Sequence, residues 1–241
     1  MEYLFLLFLF VIAFLYSSVG HGGASGYLAL MALYGVLPDV MRPTALLLNV
    51  FVSLIAFFSY SKAGYFRAKL VIPFLITSIP AAYAGGLMHS NPSVYKVVLG
   101  IFLLLATVRM LFVKSPITEA SKQPILVVSI LIGALLGFFS GMIGIGGGII
   151  LSPLLLLLHW ANMKEAAAAS ALFIFLNSLS GLFALMHGGF SFSSHIITWV
   201  IVGVLGGIAG SFSGSFKIHS EKLKFILAGV LVLASFKLIL F

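Results

Sequence analysis

Two glycine clusters carry the chemistry that this chain is equipped to do. The first is Gly20-His21-Gly22-Gly23-Ala24-Ser25-Gly26 and the second is Gly144-Ile145-Gly146-Gly147-Gly148, each directly after a long apolar run. Glycine has no side chain, so the backbone there can bend sharply and approach a ligand closely. A helix that starts after such a bend leaves its first N–H groups unpaired. Those groups, with the positive end of the helix dipole, make an anion site that needs no lysine or arginine. His21 is the ionisable side chain of the clusters, placed to take a coupled proton or to donate a hydrogen bond. Ile145 stands at its place in the second cluster.

Other polar residues lie in or beside apolar runs: Ser25, Thr44, Asn49, Ser170, Asn177 and Ser178. They fit the lining of a path, or they tie helices together. The expected binding region is therefore Gly20, His21, Gly22, Gly23, Ser25, Thr44 and Asn49 with Gly144, Gly146, Gly147, Gly148, Ser170 and Asn177. Small residues also let membrane helices pack closely, so each cluster alone reads either way. The presence of two clusters, each before a shortened apolar run, favours binding. His89, His159, His187, His195 and His219 show no metal-ligand spacing, and no metal site is expected. Asp39 with Arg42, and Lys164 with Glu165, read as capping or surface pairs.

The elements that must hold these groups are membrane helices. The chain is 62% hydrophobic and 7% charged, against about 25% charged in an ordinary soluble domain. Lipid is the solvent that such a surface needs. Nearly uncharged runs cover 3–19, 24–37, 44–60, 70–88, 94–113, 125–143, 149–160, 166–186, 196–216 and 223–241. All-round apolarity with no period of two marks helices, not barrel strands. The expected fold is all-α, a polytopic bundle of about 8–10 membrane segments. The two shortest runs, 24–37 and 149–160, either cross or enter and return. The first run, with Glu2 and no lysine or arginine before it, reads as part of the mature protein and not as a signal peptide.

The net charge of +8 reads as an orientation signal and not as a nucleic-acid surface. With the N-terminus outside and each run crossing once, ten basic residues fall inside: Lys62, Arg67, Lys69, Arg109, Lys114, Lys122, Lys164, Lys217, Lys222 and Lys224. Arg42, Lys96 and Lys237 fall outside. Both termini are then external, and the polar stretch 114–123 is a cytoplasmic linker. With no cysteine there are no disulfides, iron–sulfur clusters or thiolate metal sites. Neither cluster ends in the Gly-Lys-Ser/Thr of a nucleotide loop, and no cofactor is expected.

The two halves resemble each other. Gly20-His21-Gly22-Gly23 matches Gly144-Ile145-Gly146-Gly147 at an offset of 124, and Thr44-Ala45-Leu46 matches Ser170-Ala171-Leu172 at 126. Ala63-Gly64-Tyr65-Phe66 parallels Gly188-Gly189-Phe190-Ser191 at 125, while Lys96 pairs with Lys224 and Arg109 with Lys237 at 128. This is the signature of a duplication, with repeats at 1–113 and 124–241. Each half holds five runs, an odd number, so the second copy is inverted. Inverted repeats with a midplane site at their interface are a recurring transporter architecture.

The motifs "SSVGHGGASGYLALMALYGV" and "GMIGIGGGIILSPLLLLL" each lead to a polar-dotted helix, "RPTALLLNVFVSL" and "AAAASALFIFLNSLSG". Over nearly the whole chain this pattern resembles the TauE/SafE family of membrane transporters, the sulfite exporter family. Ser25-Gly26 stands where the family often has apolar residues, and His21 is unusual. The resemblance implies secondary transport of small sulfur-containing anions such as sulfite, sulfonates or thiosulfate-like oxyanions, with the glycine motifs as the substrate region. It implies a coupling ion, for which a proton is the candidate. A homodimer is a further expectation.

Two alternatives stand beside that reading. An anion channel would share the fold; saturable flux that depends on a proton gradient distinguishes the carrier. Gly23-Ala24-Ser25-Gly26 also looks like the nucleophile motif of rhomboid proteases, with Ser25 attacking and a distant His187 or His195 as base. Against an enzyme, the second cluster has no serine and ten runs exceed the rhomboid plan.

Overall fold

The computed structural model describes residues 2–18, 23–88, 91–112, 122–190, 194–214, 231–233 and 235–240. Gly20, His21, Gly22, His89, His219 and all but the last two residues of the 114–123 linker lie outside them.

The described residues are helical and contain no strand. In chain order the helices are α1 (Glu2–Ser18), α2 (Ala24–Leu33), α3 (Pro38–Lys62), α4 (Ala68–Leu87) and α5 (Pro92–Phe112). Then follow α6 (Leu126–Ile143), α7 (Gly148–Leu157), α8 (Met163–His187) and α9 (Ser194–Gly214). Residues 231–233 and 235–240 are helical as well. Four helices, α3, α4, α6 and α8, are long and apolar enough to cross a membrane. α2 and α7 have 10 residues each. At 1.5 Å per residue each spans about 15 Å, half the thickness of a bilayer's hydrocarbon core.

The helix ends repeat between the halves. After α2, Gly35 N–H donates to the Ala32 carbonyl (3.1 Å) and Val36 N–H to Met31 (2.9 Å). After α7, His159 donates to Leu156 (3.1 Å) and Trp160 to Leu155 (2.9 Å). The same double bond closes α3 through Gly64 and Tyr65, and α8 through Gly189 and Phe190. All four are Schellman turns, in which the penultimate donor sits in the left-handed region. Gly35, Gly64 and Gly189 have φ of +74°, +82° and +84°, and His159 takes φ +58° without being glycine. α8 also begins on a full capping box. Asn162 Oδ1 accepts from the N–H of Lys164 and Glu165, and the Glu165 carboxylate accepts from Asn162 N–H at 3.1 Å.

α3 and α8 form the centre and pack on each other. Around them the most extensive seams are α4 on α6 and α1 on α9, with α4 also on α8 and α9 also on α3. Exchanging the halves (α1 with α6, α3 with α8, α4 with α9) turns each of these seams into another. Both outer seams are close backbone contacts. A methyl group on Gly133, Gly137 or Gly141 of α6 would overlap the carbonyl oxygens of Phe74, Ser78 and Ala82 of α4. On the other side, Gly206 and Gly210 of α9 lie as close to the Phe10 and Phe14 carbonyls of α1. The outer faces are large apolar side chains at helical spacing, such as Leu131 with Leu135 and Ile197 with Ile201, Leu205 and Ile208. The buried centre holds Thr44, Asn49, Ser53, Ser170, Asn177 and Ser178. Polar inside and apolar outside is the pattern of a bundle solvated by lipid.

The two ends of the bundle differ. One gathers Arg67, paired with Glu165 at 3.2 Å, and Lys164, which donates to Tyr65 Oη at 2.9 Å and lies over its ring. Lys122 N–H donates to the His159 carbonyl there. The other end gathers the start of α3 and the ends of α4 and α8 around a cavity.

Candidate functional site

The chain leaves α6 through Gly144 (φ +89°), Ile145, Gly146 (φ +78°) and Gly147 (φ +70°) before entering α7. Three left-handed residues within four positions explain why the segment is built of glycine: any side chain there would be strained. Gly144 N–H is paired to Ser140, and the Gly147 carbonyl accepts from Ile150 and Leu151. The N–H groups of Ile145, Gly146, Gly147, Gly148 and Ile149 have no acceptor among the described residues. At the head of α2, Gly23 has φ +84°, and the N–H groups of Ala24, Ser25 and Gly26 are likewise unpaired there.

Polar side chains without partners surround the α7 segment. A methyl group on Gly146 would lie 2.9 Å from Asn49 Nδ2 and 3.3 Å from Ser178 Oγ. Asn49 Nδ2 reaches the Gly144 carbonyl at 3.4 Å, while Asn49 Oδ1 and Ser178 Oγ are buried with no hydrogen bond. Asn177 spends its amide N–H on the Phe173 carbonyl (2.7 Å), which leaves its Oδ1 unpaired too. Phe173 and Ile174 are the α8 side chains against Gly147 and Gly148, and Asn177 and Ser178 follow them by one helical turn. Asn49 and Ser178 are both fully buried. An unpaired buried polar atom costs about 1–3 kcal/mol, so such a concentration is the expected imprint of a missing polar occupant.

The structure thus brings Gly144, Gly146, Gly147, Gly148, Asn49 and Asn177 to one region, together with Ser178. The other expected residues are occupied elsewhere. Thr44 Oγ1 donates back to the Val40 carbonyl (2.6 Å) and Ser170 pairs with Ser152 at 2.7 Å. Ser25 Oγ lies 2.9 Å from the Tyr16 hydroxyl, 1% exposed, as a contact between α1 and α2. Gly23 belongs to the head of α2, beside the unpartnered Tyr27 hydroxyl.

Arg42 corrects the expectation of a surface pair with Asp39. It is 9% exposed, and its guanidinium bonds carbonyls at the ends of two helices. Nε donates to Gly141 (3.0 Å), Nη1 to Met88 (3.1 Å) and Nη2 to Gly85 (3.0 Å) and Gly86. Beside it Tyr95 Oη donates to the Ile143 carbonyl at 2.9 Å. A cation at two helix C-termini is favoured by both dipoles. Lys164 and Glu165 meet the capping expectation at the start of α8 without pairing with each other: Glu165 caps α8 and also holds Arg67, while Lys164 holds Tyr65. The signal available for Arg42 was its place, one turn inside a helix that carries no further charge until Lys62 at its end.

Arg42 also lines a cavity of about 270 Å³ with Pro38, Asp39, Met88, Tyr95 and Phe190. Its backbone and stem are the neighbours of Gly144, whose added methyl would lie 3.1 Å from the Arg42 carbonyl and 3.5 Å from Cγ. The order in space is cavity, Arg42, glycine loop, Asn49 and Ser178.

Comparison with known proteins places this arrangement. The family model described as "Sulfite exporter TauE/SafE" matches residues 4–238. The probable membrane transporter protein y4hK of Sinorhizobium fredii (strain NBRC 101917 / NGR234) is 35% identical over 234 residues, 95% of each chain. The probable membrane transporter protein YunE of Bacillus subtilis (strain 168) is 33% identical over 176 residues, 64% of each chain. The probable membrane transporter protein MJ0441 of Methanocaldococcus jannaschii is 30% identical over 188 residues, 73% of this chain and 69% of that one. No solved structure matches the chain significantly. An apolar helical bundle matched end to end by one family of transporters is not a protease, and this chain belongs to the TauE/SafE family of membrane transporters.

Proposed function

We propose that this chain is a secondary transporter of small sulfur-containing oxyanions, such as sulfite or short sulfonates, and binds them at the heads of its two half-length helices. The observation that carries the reading is the run of five N–H groups from Ile145 to Ile149, unpaired among the described residues, beside Asn49 Oδ1 and Ser178 Oγ, which also have no partner there. Backbone amides at a helix start are fixed anion donors. The orphaned amide oxygens of Asn49 and Asn177 are acceptors and require a donor in return. A singly protonated oxyanion, or an anion with one water, meets both demands.

The repeats 1–113 and 124–241 are read as inverted copies, with α2 and α7 as re-entrant halves that meet the substrate from opposite sides. The matched Schellman turns and the exchange of seams between the halves support that reading. The lysine- and arginine-rich end, with the 114–123 linker, is read as cytoplasmic, which puts both termini and the Arg42 cavity outside. A proton gradient drives the cycle in this scheme, with His21 as the group that takes the proton. A homodimer is compatible with the broad apolar faces.

The test is uptake into proteoliposomes of sulfite, sulfate, thiosulfate and short sulfonates, with and without a pH gradient. The reading expects saturable uptake of at least one sulfur oxyanion, stimulated by the gradient. Gly147→Leu, which crowds the loop against Phe173, should abolish uptake in a folded protein. Full uptake in that variant moves the site elsewhere.

A further inference from the structure

We infer that the cavity at the cation-capped end is a second oxyanion site, separate from the glycine loop, with Arg42 as its cationic residue. The cavity of about 270 Å³ is large enough for a small oxyanion with water. Its wall contains a guanidinium whose hydrogen bonds go to four neutral carbonyls. Those carbonyls satisfy donors and, as the ends of two helices, offset part of the charge, but no carboxylate is bonded to it. Among the described residues the one ion pair is Arg67 with Glu165, at the opposite end. Asp39 lines the same cavity but makes no ion pair with Arg42, and it is exposed where Arg42 is buried. A positive charge set into a low-dielectric wall, with water reaching one side, focuses its field into the opening and concentrates anions there. Because the Arg42 stem flanks Gly144, an anion held here sits one side chain from the glycine loop. The ligand class is a small oxyanion, which a free solute or a lipid phosphate can supply.

The absence of cysteine gives a direct measurement of that field. Leu87 lines the cavity and is 44% exposed, so Leu87→Cys supplies a single thiol at its mouth. In maltoside detergent, the thiol is reacted with sulfonatoethyl methanethiosulfonate and with its trimethylammonium analogue. The ratio of rates is normalised to that of a free thiol. The inference expects the anionic reagent to be favoured about tenfold. Asp39→Asn, which leaves every carbonyl bond of Arg42 in place, should raise the ratio several-fold further. Arg42→Gln should bring it to one or below, and Arg42→Lys should keep it above one. A ratio at or below one in the Leu87→Cys protein, unmoved by Asp39→Asn, overturns the inference even if Arg42→Gln fails to fold.

Protection assigns the source. Slowing of the anionic reagent by millimolar methanesulfonate marks a solute site. Slowing only by short-chain phosphatidylglycerol marks a headgroup site. Protection by neither overturns the site. The readout needs no transport, so it stands or falls apart from the uptake assay.

Discussion

The α4–α6 and α1–α9 seams are equivalent in the fold and opposite in their chemistry. In the first, most of the glycines are on the leading helix of the second half, α6, and face carbonyls of α4. In the second they are on the fourth helix of that half, α9, and face carbonyls of α1. Had glycine been fixed at a position in the repeat, α1 would carry the glycines that α6 carries. At the offset of 124 it carries Leu9, Ala13 and Ser17 at those places instead. What the two halves share is therefore the distance between helix axes, and one bare surface per seam suffices to reach it. In lipid, where apolar side chains gain little by leaving the solvent, such close backbone approach is a main source of association.

The comparison is broken most severely by filling a seam. Gly141→Leu places a large side chain against the Ala82 backbone and should abolish monodisperse protein on size exclusion in detergent. Gly210→Leu should do the same against Phe14. If one is tolerated and the other is not, the seams are not equivalent. Gly141→Ala is milder and should cost about 1–3 kcal/mol in detergent–denaturant unfolding. Ala82→Gly should fail to rescue it, because the methyl meets the Ala82 carbonyl oxygen and not its side chain. Rescue would mean that side-chain volume, not backbone spacing, sets the seam.

Smaller effects compare the repeated ends. Glu165→Gln keeps a hydrogen-bonding side chain at N3 but loses the charge that meets Arg67. With Arg67 41% exposed, the expected loss is about 0.5–1 kcal/mol, shrinking at high salt. His159→Gly relieves the side-chain strain of a left-handed position that the other half fills with Gly35, and should raise the unfolding midpoint by the equivalent of about 1 kcal/mol. Gly35→Ala, with nothing within 4 Å of the added methyl, should cost a similar amount from backbone strain alone. Opposite signs at these two positions are the finest test that the halves descend from one turn design.

Much of this was written in the chain, in places where a single residue type answers a local demand. Gly144, Gly146 and Gly147 were legible because positive φ admits little else, and the offsets of 124 and 125 reappear as paired Schellman turns. The half-length helices were legible as shortened runs, although their ends were not. The runs 24–37 and 149–160 extend past Leu33 and Leu157 because Val36, Leu37 and Leu158 are apolar residues within the turns. Hydropathy sees solvent, not the hydrogen bond that stops a helix. Arg42 was misread for another reason. Its partners are the carbonyls of Gly85, Gly86, Met88 and Gly141, contributed by two other helices. Backbone oxygens carry no sequence signature, so a charge that they hold resembles one that faces water. Asn49 and Ser178 were visible as polar residues, and only their convergence on Gly146 required coordinates.

The grip of Arg42 on α4 and α6 has a kinetic meaning. One planar group from α3 binds oxygens on two neighbouring helices, so those helices cannot tilt apart without at least one oxygen being surrendered. The ion pair at the far end is partly wet and can part at little cost. A motion that parts α4 from α6 must break the guanidinium's bonds, whereas the surface pair resists little.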